Sequence, residues 1–279
     1  MSQDLHSPNR SSLYRFKIDK IVGKGGSGTV YRGVDQKSGE VVALKLFHST
    51  YFTNKAHIWE VQRSVKHLRK LNHPNVARIH EFLAGDEGEV LVQEYVDGPD
   101  LRWYVANRKW NLQERLVVSA QMCNGLQYIH EQDIVHHDMK PSNILFTRKG
   151  QVKITDYSLA RSRVLAFLNS GVTELLTPMF AAPEIIQKEK ASFSSDLYAL
   201  GVTFYFMFTH QYPFNVDSMQ KLYYCHLRVR PDHPSTINHK CPTQLGDLIL
   251  RLMEKKPENR FQDCDQVRIA LSNIGTSRI

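Results

Sequence analysis

The chain has 279 residues, 42% apolar and 23% charged, which suits a soluble globular protein built as one large domain or two small lobes. Lys and Arg number 36 against 28 Asp and Glu, a formal net charge of +8, yet the basic residues are scattered, with no run of five. The charge therefore reads as a solvated surface with mild attraction for anions, and a dedicated nucleic-acid face is not expected. Cys123, Cys225, Cys241 and Cys264 lie far apart without C-x-x-C spacing, so they read as reduced thiols of a cytosolic protein and not as zinc ligands or a disulfide framework. The polar start, Met1 to Ser12, has no apolar core of the kind a signal peptide needs.

In chain order, residues 1–13 read as a flexible tail, 14–96 as a β-rich amino-terminal lobe, 97–274 as a helical carboxy-terminal lobe and 275–279 as a short tail. Gly23-Lys24-Gly25-Gly26-Ser27-Gly28 is a G-x-G-x-x-G run. A dinucleotide fingerprint would open a helix, whereas here Thr29 to Val34 carries Val30, Tyr31 and Val34 and ends on the turn Asp35-Gln36-Lys37-Ser38-Gly39. Strand, glycine turn and strand form a flap whose backbone N–H groups can face phosphates. Without a ligand it would be a plain Gly-rich hairpin. Lys45 closes the next strand, Val41-Val42-Ala43-Leu44-Lys45, seventeen residues after Gly28. A lysine in an apolar strand either snorkels at an edge or meets an anion.

Ile58, Val61, Val65, Leu68 and Leu71 recur at helical spacing, so a helix is expected there, stopped by His73-Pro74. Glu89 to Val96 returns to strand and Gly98-Pro99 breaks it. Helices are then expected over Glu114–His130, Ser195–His210, Gln244–Lys255 and Gln266–Ile274. The apolar stretch Leu197 to Phe208 is too short to span a bilayer and reads as a core helix. Between the helices, Ile144-Leu145-Phe146 and Val152-Lys153-Ile154 flank a Lys149-Gly150 turn, as in a hairpin.

The segment His136-His137-Asp138-Met139-Lys140-Pro141-Ser142-Asn143 carries the chemistry. Phosphoryl transfer to a hydroxyl needs an aligned nucleophile, metal ions and cationic help for the transferred group. Asp138 can take or orient the hydroxyl proton, Lys140 can meet the γ-phosphate, and Asn143 offers a carbonyl oxygen to Mg²⁺. Asp156, at the end of an apolar strand thirteen residues on, suits a second Mg²⁺ ligand. One Asp in a loop is most simply a cap or turn, but the ordered set of flap, Lys45, Asp138, Lys140, Asn143 and Asp156 is not a chance pattern.

On these motifs the chain resembles the eukaryotic-type protein kinase family, serine/threonine branch, from about residue 15 to 270. The resemblance also covers Ala182-Pro183-Glu184, Asp196 within Ser195 to Gly201, and Arg260 within Pro257 to Arg260. It implies an α+β, two-lobed fold with an ATP cleft between the lobes, ATP and Mg²⁺ as ligands, a protein substrate and room for a regulatory protein partner. It implies phosphate contacts from Gly23, Lys24, Gly25, Gly26, Ser27 and Gly28, and an adenine sandwich from Val22, Val30, Ala43 and Leu145. Gln93 would stand behind the base, Glu94 to Val96 would read adenine through their backbone, and Asp100 would lie near the ribose. Glu184 should pair with Arg260, and Asp196 should brace the catalytic-loop backbone. Lys140 and Thr177-Pro178 resemble the serine/threonine branch.

Three positions depart from the family pattern. Ser64 stands where a helix glutamate should pair with Lys45; either Glu60, one turn earlier on the same face, substitutes after a shift of the helix, or Lys45 is held by phosphate and Asp156 alone. His137 replaces the arginine that grips a phosphorylated loop, so activation is expected not to depend strongly on phosphorylation within residues 157–181. Tyr157-Ser158 follows Asp156 where Phe-Gly is usual, and serine reduces access to positive φ. A metal site at His136-His137 is disfavoured because adjacent side chains point apart. The expected function is an active serine/threonine kinase. A pseudokinase scaffold is the alternative, and a small-molecule or lipid kinase a more distant one.

Overall fold

The structure, a computed structural model, describes residues 13–49, 51–52, 54–85, 88–157 and 177–276. They fall into two compact units: one holds the residues up to His73 together with Ala77–Asp97, the other Pro74–Val76 together with the chain from Gly98 onward. No described helix is long and apolar enough to cross a membrane.

The first unit is a five-stranded antiparallel sheet with one helix. Its strands are β1 (Phe16–Gly25), β2 (Gly28–Asp35), β3 (Val41–Phe47), β4 (Ile79–Gly85) and β5 (Gly88–Glu94), in the order β1-β2-β3-β5-β4. The period of two sorts their side chains. Val42, Leu44, Val90 and Val92 face one way and build the core with Phe16. Val30, Ala43, Lys45, Leu91 and Gln93 are paired across the other face. Arg15 ties the sheet edge, donating from Nε to Asp35 Oδ1 at 2.7 Å and from Nη1 to Glu81 Oε1 at 2.8 Å. That guanidinium holds the Asp35 carboxyl far below the usual carboxylate range.

The helix of this unit, α1 (Lys55–Leu68), is capped by Asn54, whose side chain accepts from His57 N at 3.0 Å, and it buries Val61, Val65 and Leu68. It ends three residues short of the expected Leu71. There the chain tightens into three-residue hydrogen bonds, Lys70 N to His67 O and Leu71 N to Leu68 O, before the proline is reached.

The second unit is mainly helical: α2 (Leu101–Asn107), α3 (Leu112–Glu131), α4 (Phe193–Thr209), α5 (Met219–Arg228), α6 (Thr243–Leu252) and α7 (Cys264–Thr276). A capping box between Asn111 and Glu114 starts α3 two residues before the expected Glu114. The expected core helix is α4, buried from Ser195 to Thr209 save Phe206, and His210 ends it in the left-handed region at φ 62°. Helices α2 and α5 were not foreseen, being short and lacking a long apolar stripe. The hairpin β6 (Ile144–Phe146) and β7 (Val152–Ile154) turns at Gly150, φ 78°, as its sequence required. Pro74–Val76 belongs to this unit because Asn75 Nδ2 donates to Val152 O at 3.0 Å and Val76 bridges Ile154.

Candidate functional site

In the first unit, β1 and β2 close on a two-residue loop, Gly26-Ser27, with Gly25 paired to Gly28. Only one of the glycines here is demanded by packing. A Cβ on Gly28 would stand 2.2 Å from Leu46 O and 2.9 Å from Phe47 Cα, so a side chain cannot fit. Gly25 and Gly26 have nothing within 4 Å of an added Cβ. Their bare backbone leaves room at the tip for a group to approach from outside the fold, as a phosphate cradle requires. His48, just past β3, fastens that tip: its N–H donates to Ser27 O at 3.2 Å, and its Nε2 donates to Gly25 O at 3.1 Å. Sequence reasoning missed His48, because nothing in its spacing marks it.

Lys45 is 4% exposed, opposite Val30 on β2 and Leu91 on β5. Its Nζ lies 5.5 Å from the Phe47 ring centroid. Val30 and Ala43 share its face, and Val22 sits at the irregularity of β1 between Ile21 and Gly23. Glu94 ends β5, with its N–H committed to Arg78 O at 2.8 Å, and the buried Val96 follows. Glu60 and Ser64 lie one turn apart on α1, both half-buried.

In the second unit, Asp100 caps α2: Oδ1 accepts from Trp103 N at 2.9 Å, and Oδ2 receives Arg102 at 2.5 Å. Antiparallel bridging sets it beside Leu145. The hairpin delivers Asn143 at its start and, two residues past Ile154, Asp156, whose φ of 60° turns the chain sharply. Thr155 N donates to Asn143 O at 2.9 Å, locking the two segments together.

Asp138 is the focus of this unit. Its Oδ2 lies 2.6 Å from Lys140 Nζ and accepts from Asn143 Nδ2 at 3.1 Å, and its Oδ1 accepts from Thr177 Oγ1 at 2.8 Å. Lys140 also donates to Thr177 Oγ1 at 3.2 Å. Asn143 Nδ2 makes a second bond to Asp138 O at 2.8 Å. The amide nitrogen is thereby turned inward, and its carbonyl oxygen accepts from Ser142 Oγ at 3.4 Å. An amide oxygen and the Asp156 carboxylate are hard oxygen donors, the kind Mg²⁺ takes. An open recess of about 460 Å³ lies beside Asp138, walled by His137, Thr177, Phe180 and Ile185.

The loop that carries Asp138 is braced from below. Asp196 on α4, 2% exposed, accepts from His136 N at 2.7 Å, His137 N at 2.9 Å and His130 Nε2 at 2.9 Å. These donors hold its carboxyl below the usual range against the opposing effect of burial. His137 takes a left-handed backbone, φ 69°, to present its N–H. His136 Nδ1 accepts from Asp138 N at 3.2 Å, and burial lowers the His136 pKa, so its ring is neutral and faces the fully buried Tyr157. That use of the ring is structural. Among the described residues no group of three or more His, Cys, Asp or Glu is placed to hold a metal. His130 was read from the sequence only as the end of a helix, not as a donor to Asp196. The expected Glu184–Arg260 pair is present, buried and bidentate, with both contacts at 2.8 Å. Ser158 and the rest of residues 158–176, within which a phosphorylation site was considered, lie outside the described residues.

Residues 16–269 match the family model described as the protein kinase domain. The chain is 29% identical over 255 residues to a probable serine/threonine-protein kinase of Clostridium perfringens, covering 91% of this chain and 37% of that protein. It is 28% identical over 274 residues to the serine/threonine-protein kinase PknB of Mycobacterium tuberculosis, covering 93% and 43%. The chain thus spans about two fifths of the length of these curated relatives. The crystal structure of the Mycobacterium tuberculosis PknI kinase domain superposes with a TM-score of 0.75 at 20% identity, covering 96% of this chain and 99% of that one, which is a likeness of fold.

Proposed function

Since the chain belongs to the protein kinase domain family, we propose that it moves the γ-phosphoryl of ATP to a serine or threonine hydroxyl of a protein. The observation that carries this reading is the Asp138 carboxylate, gripped by Lys140, Asn143 and Thr177. In this role Asp138 orients the incoming hydroxyl and accepts its proton as the new P–O bond forms and ADP departs. Thr177 occupies Oδ1, so the substrate hydroxyl shares that acceptor or displaces it. Lys140 offsets charge on the transferred group.

Asn143 and Asp156 would hold Mg²⁺, which when bound offsets charge on the phosphates. The hairpin Gly23 to Gly28 with Lys24 and Ser27 takes the phosphates, and Lys45 takes the anion that its place in an apolar strand calls for. With Ser64 in place of a carboxylate, Lys45 is held by the phosphates and Asp156, or by Glu60 after a shift of the helix. Val22, Val30, Ala43, Glu94, Val96 and Leu145 serve the base, with Gln93 behind it and Asp100 near the ribose. His137 spends its N–H on Asp196 and lacks the fork of an arginine, so activation proceeds without a phosphorylated residue among 157–181.

Phosphoamino-acid analysis of a generic protein substrate tests the reading. Phosphoserine or phosphothreonine is expected, unchanged after phosphatase treatment of the kinase and lost in Asp138→Ala. Phosphotyrosine would overturn the substrate class, and activity abolished by the phosphatase would overturn the mode of activation.

A further inference from the structure

Five of the 36 basic residues lie on α1 and the turn that follows it. Residues 55–70 hold five Lys or Arg (Lys55, Arg63, Lys66, Arg69 and Lys70) against one carboxylate, Glu60. At about 100° per residue, Lys55, Trp59, Arg63 and Lys66 fall within about 80° of arc, diametrically opposite the buried Val61, Val65 and Leu68. Arg69, whose dihedrals remain helical, and Lys70 extend the stripe past the helix end. All five cations are exposed, and Trp59 among them is 63% exposed. Among the described residues of the helix, no carboxylate stands on this face.

The cations of this helix repel one another, although Lys66 in its last turn suits the dipole there. Like charges three and four residues apart repel, as at Arg63–Lys66, Lys66–Arg69 and Lys66–Lys70. Its first turn, where the dipole favours anions, contains no acidic residue and begins on Lys55. An ordinary solvated helix relieves such repulsion with interleaved glutamates. This one keeps the charge and adds an exposed indole.

We infer that the outer face of α1 is a contact surface for an anionic phospholipid membrane. A stripe one side chain wide and about 22 Å long is far below the area of a specific protein interface, and a single tryptophan supplies no apolar centre for one. A bilayer needs neither. Its headgroup plane meets a row of cations directly, and tryptophan is a residue of the membrane–water boundary. The contact is peripheral and reversible, with the apolar side of α1 still packed on its own sheet.

The test uses the 279-residue chain and sedimentation with vesicles of phosphatidylcholine alone, or with about a third phosphatidylglycerol. Binding is expected only to the anionic vesicles, weakening with salt and shifting the Trp59 emission to shorter wavelength. Each cation removed should weaken binding about fivefold. Lys55→Gln/Arg63→Gln/Lys66→Gln/Lys70→Gln should therefore lower it by more than two orders of magnitude with unchanged circular dichroism. Trp59→Phe should remove the spectral shift and leave most of the binding. Equal binding to both vesicle types, or a quadruple variant that binds like the parent, would overturn the inference. So would polyglutamate or RNA that binds through these residues more tightly than the vesicles do.

Discussion

Burial holds two histidines, His226 and His136, in the neutral state. His226 on α5 is fully buried, with Nδ1 2.8 Å from Tyr198 OH, and burial pushes its pKa down to about 3. The unfolded chain takes up that proton near the ordinary histidine value, so the neutral ring stabilises the fold above pH ~6.5. That contribution is lost progressively as pH falls from about 6.5 toward 3. His136, also lowered by burial, acts in the same direction. Thermal melts at pH 7.5 and pH 5 should therefore differ by several degrees. His226→Gln, which can still accept from Tyr198, should shrink the difference without removing it; an identical pH slope in this variant would refute the assignment. Asp196 receives three donors, so Asp196→Ala strands them and should destabilise the fold by about 3 kcal/mol or more, read by chemical denaturation.

At the scale of elements, the glycine hairpin separates a folding requirement from a functional one. Gly28→Ala drives a Cβ to 2.2 Å from Leu46 O and should cost on the order of 2–3 kcal/mol of stability. Gly26→Ala meets nothing within 4 Å and should melt like the parent while raising KM for ATP several-fold. If both variants kept parental KM, the hairpin would not be a phosphate cradle. His48→Ala, by freeing Gly25 O, should raise the same KM with little change in kcat, and His48→Gln should restore it. The elements themselves were largely readable where a period ran unbroken, as in β2, β3, α3 and α4. The end of α1 was not, because backbone hydrogen bonds stopped it before the proline did.

For the molecule as a whole, residues adjacent in sequence announced the candidate site, and through-space partners did not. Asp138, Lys140 and Asn143 stand within six positions and could be read together, with Asp156 placed by the strand before it. Asp196 as the brace and the Glu184–Arg260 pair came from family resemblance, since 60 and 76 residues separate the groups they join. His130, His48 and the assembled basic face of α1 were invisible to it, because each depends on folding to bring its partners into line. The departures at Ser64 and His137 touch positions that regulate kinases, whereas the residues assigned to ATP, Mg²⁺ and the proton are intact.

Catalysis by that intact set is tested most directly by Mg²⁺-dependent transfer of label from γ-phosphate-labelled ATP to a generic protein. The assay compares the parent chain with Asp138→Ala and Asp156→Ala. The parent should transfer phosphate only with Mg²⁺ present, Asp138→Ala should lose about 10²–10⁴-fold in kcat while still binding nucleotide, and Asp156→Ala should lose the Mg²⁺-supported reaction. Transfer at one common rate in all three proteins, or none from the parent, would contradict it.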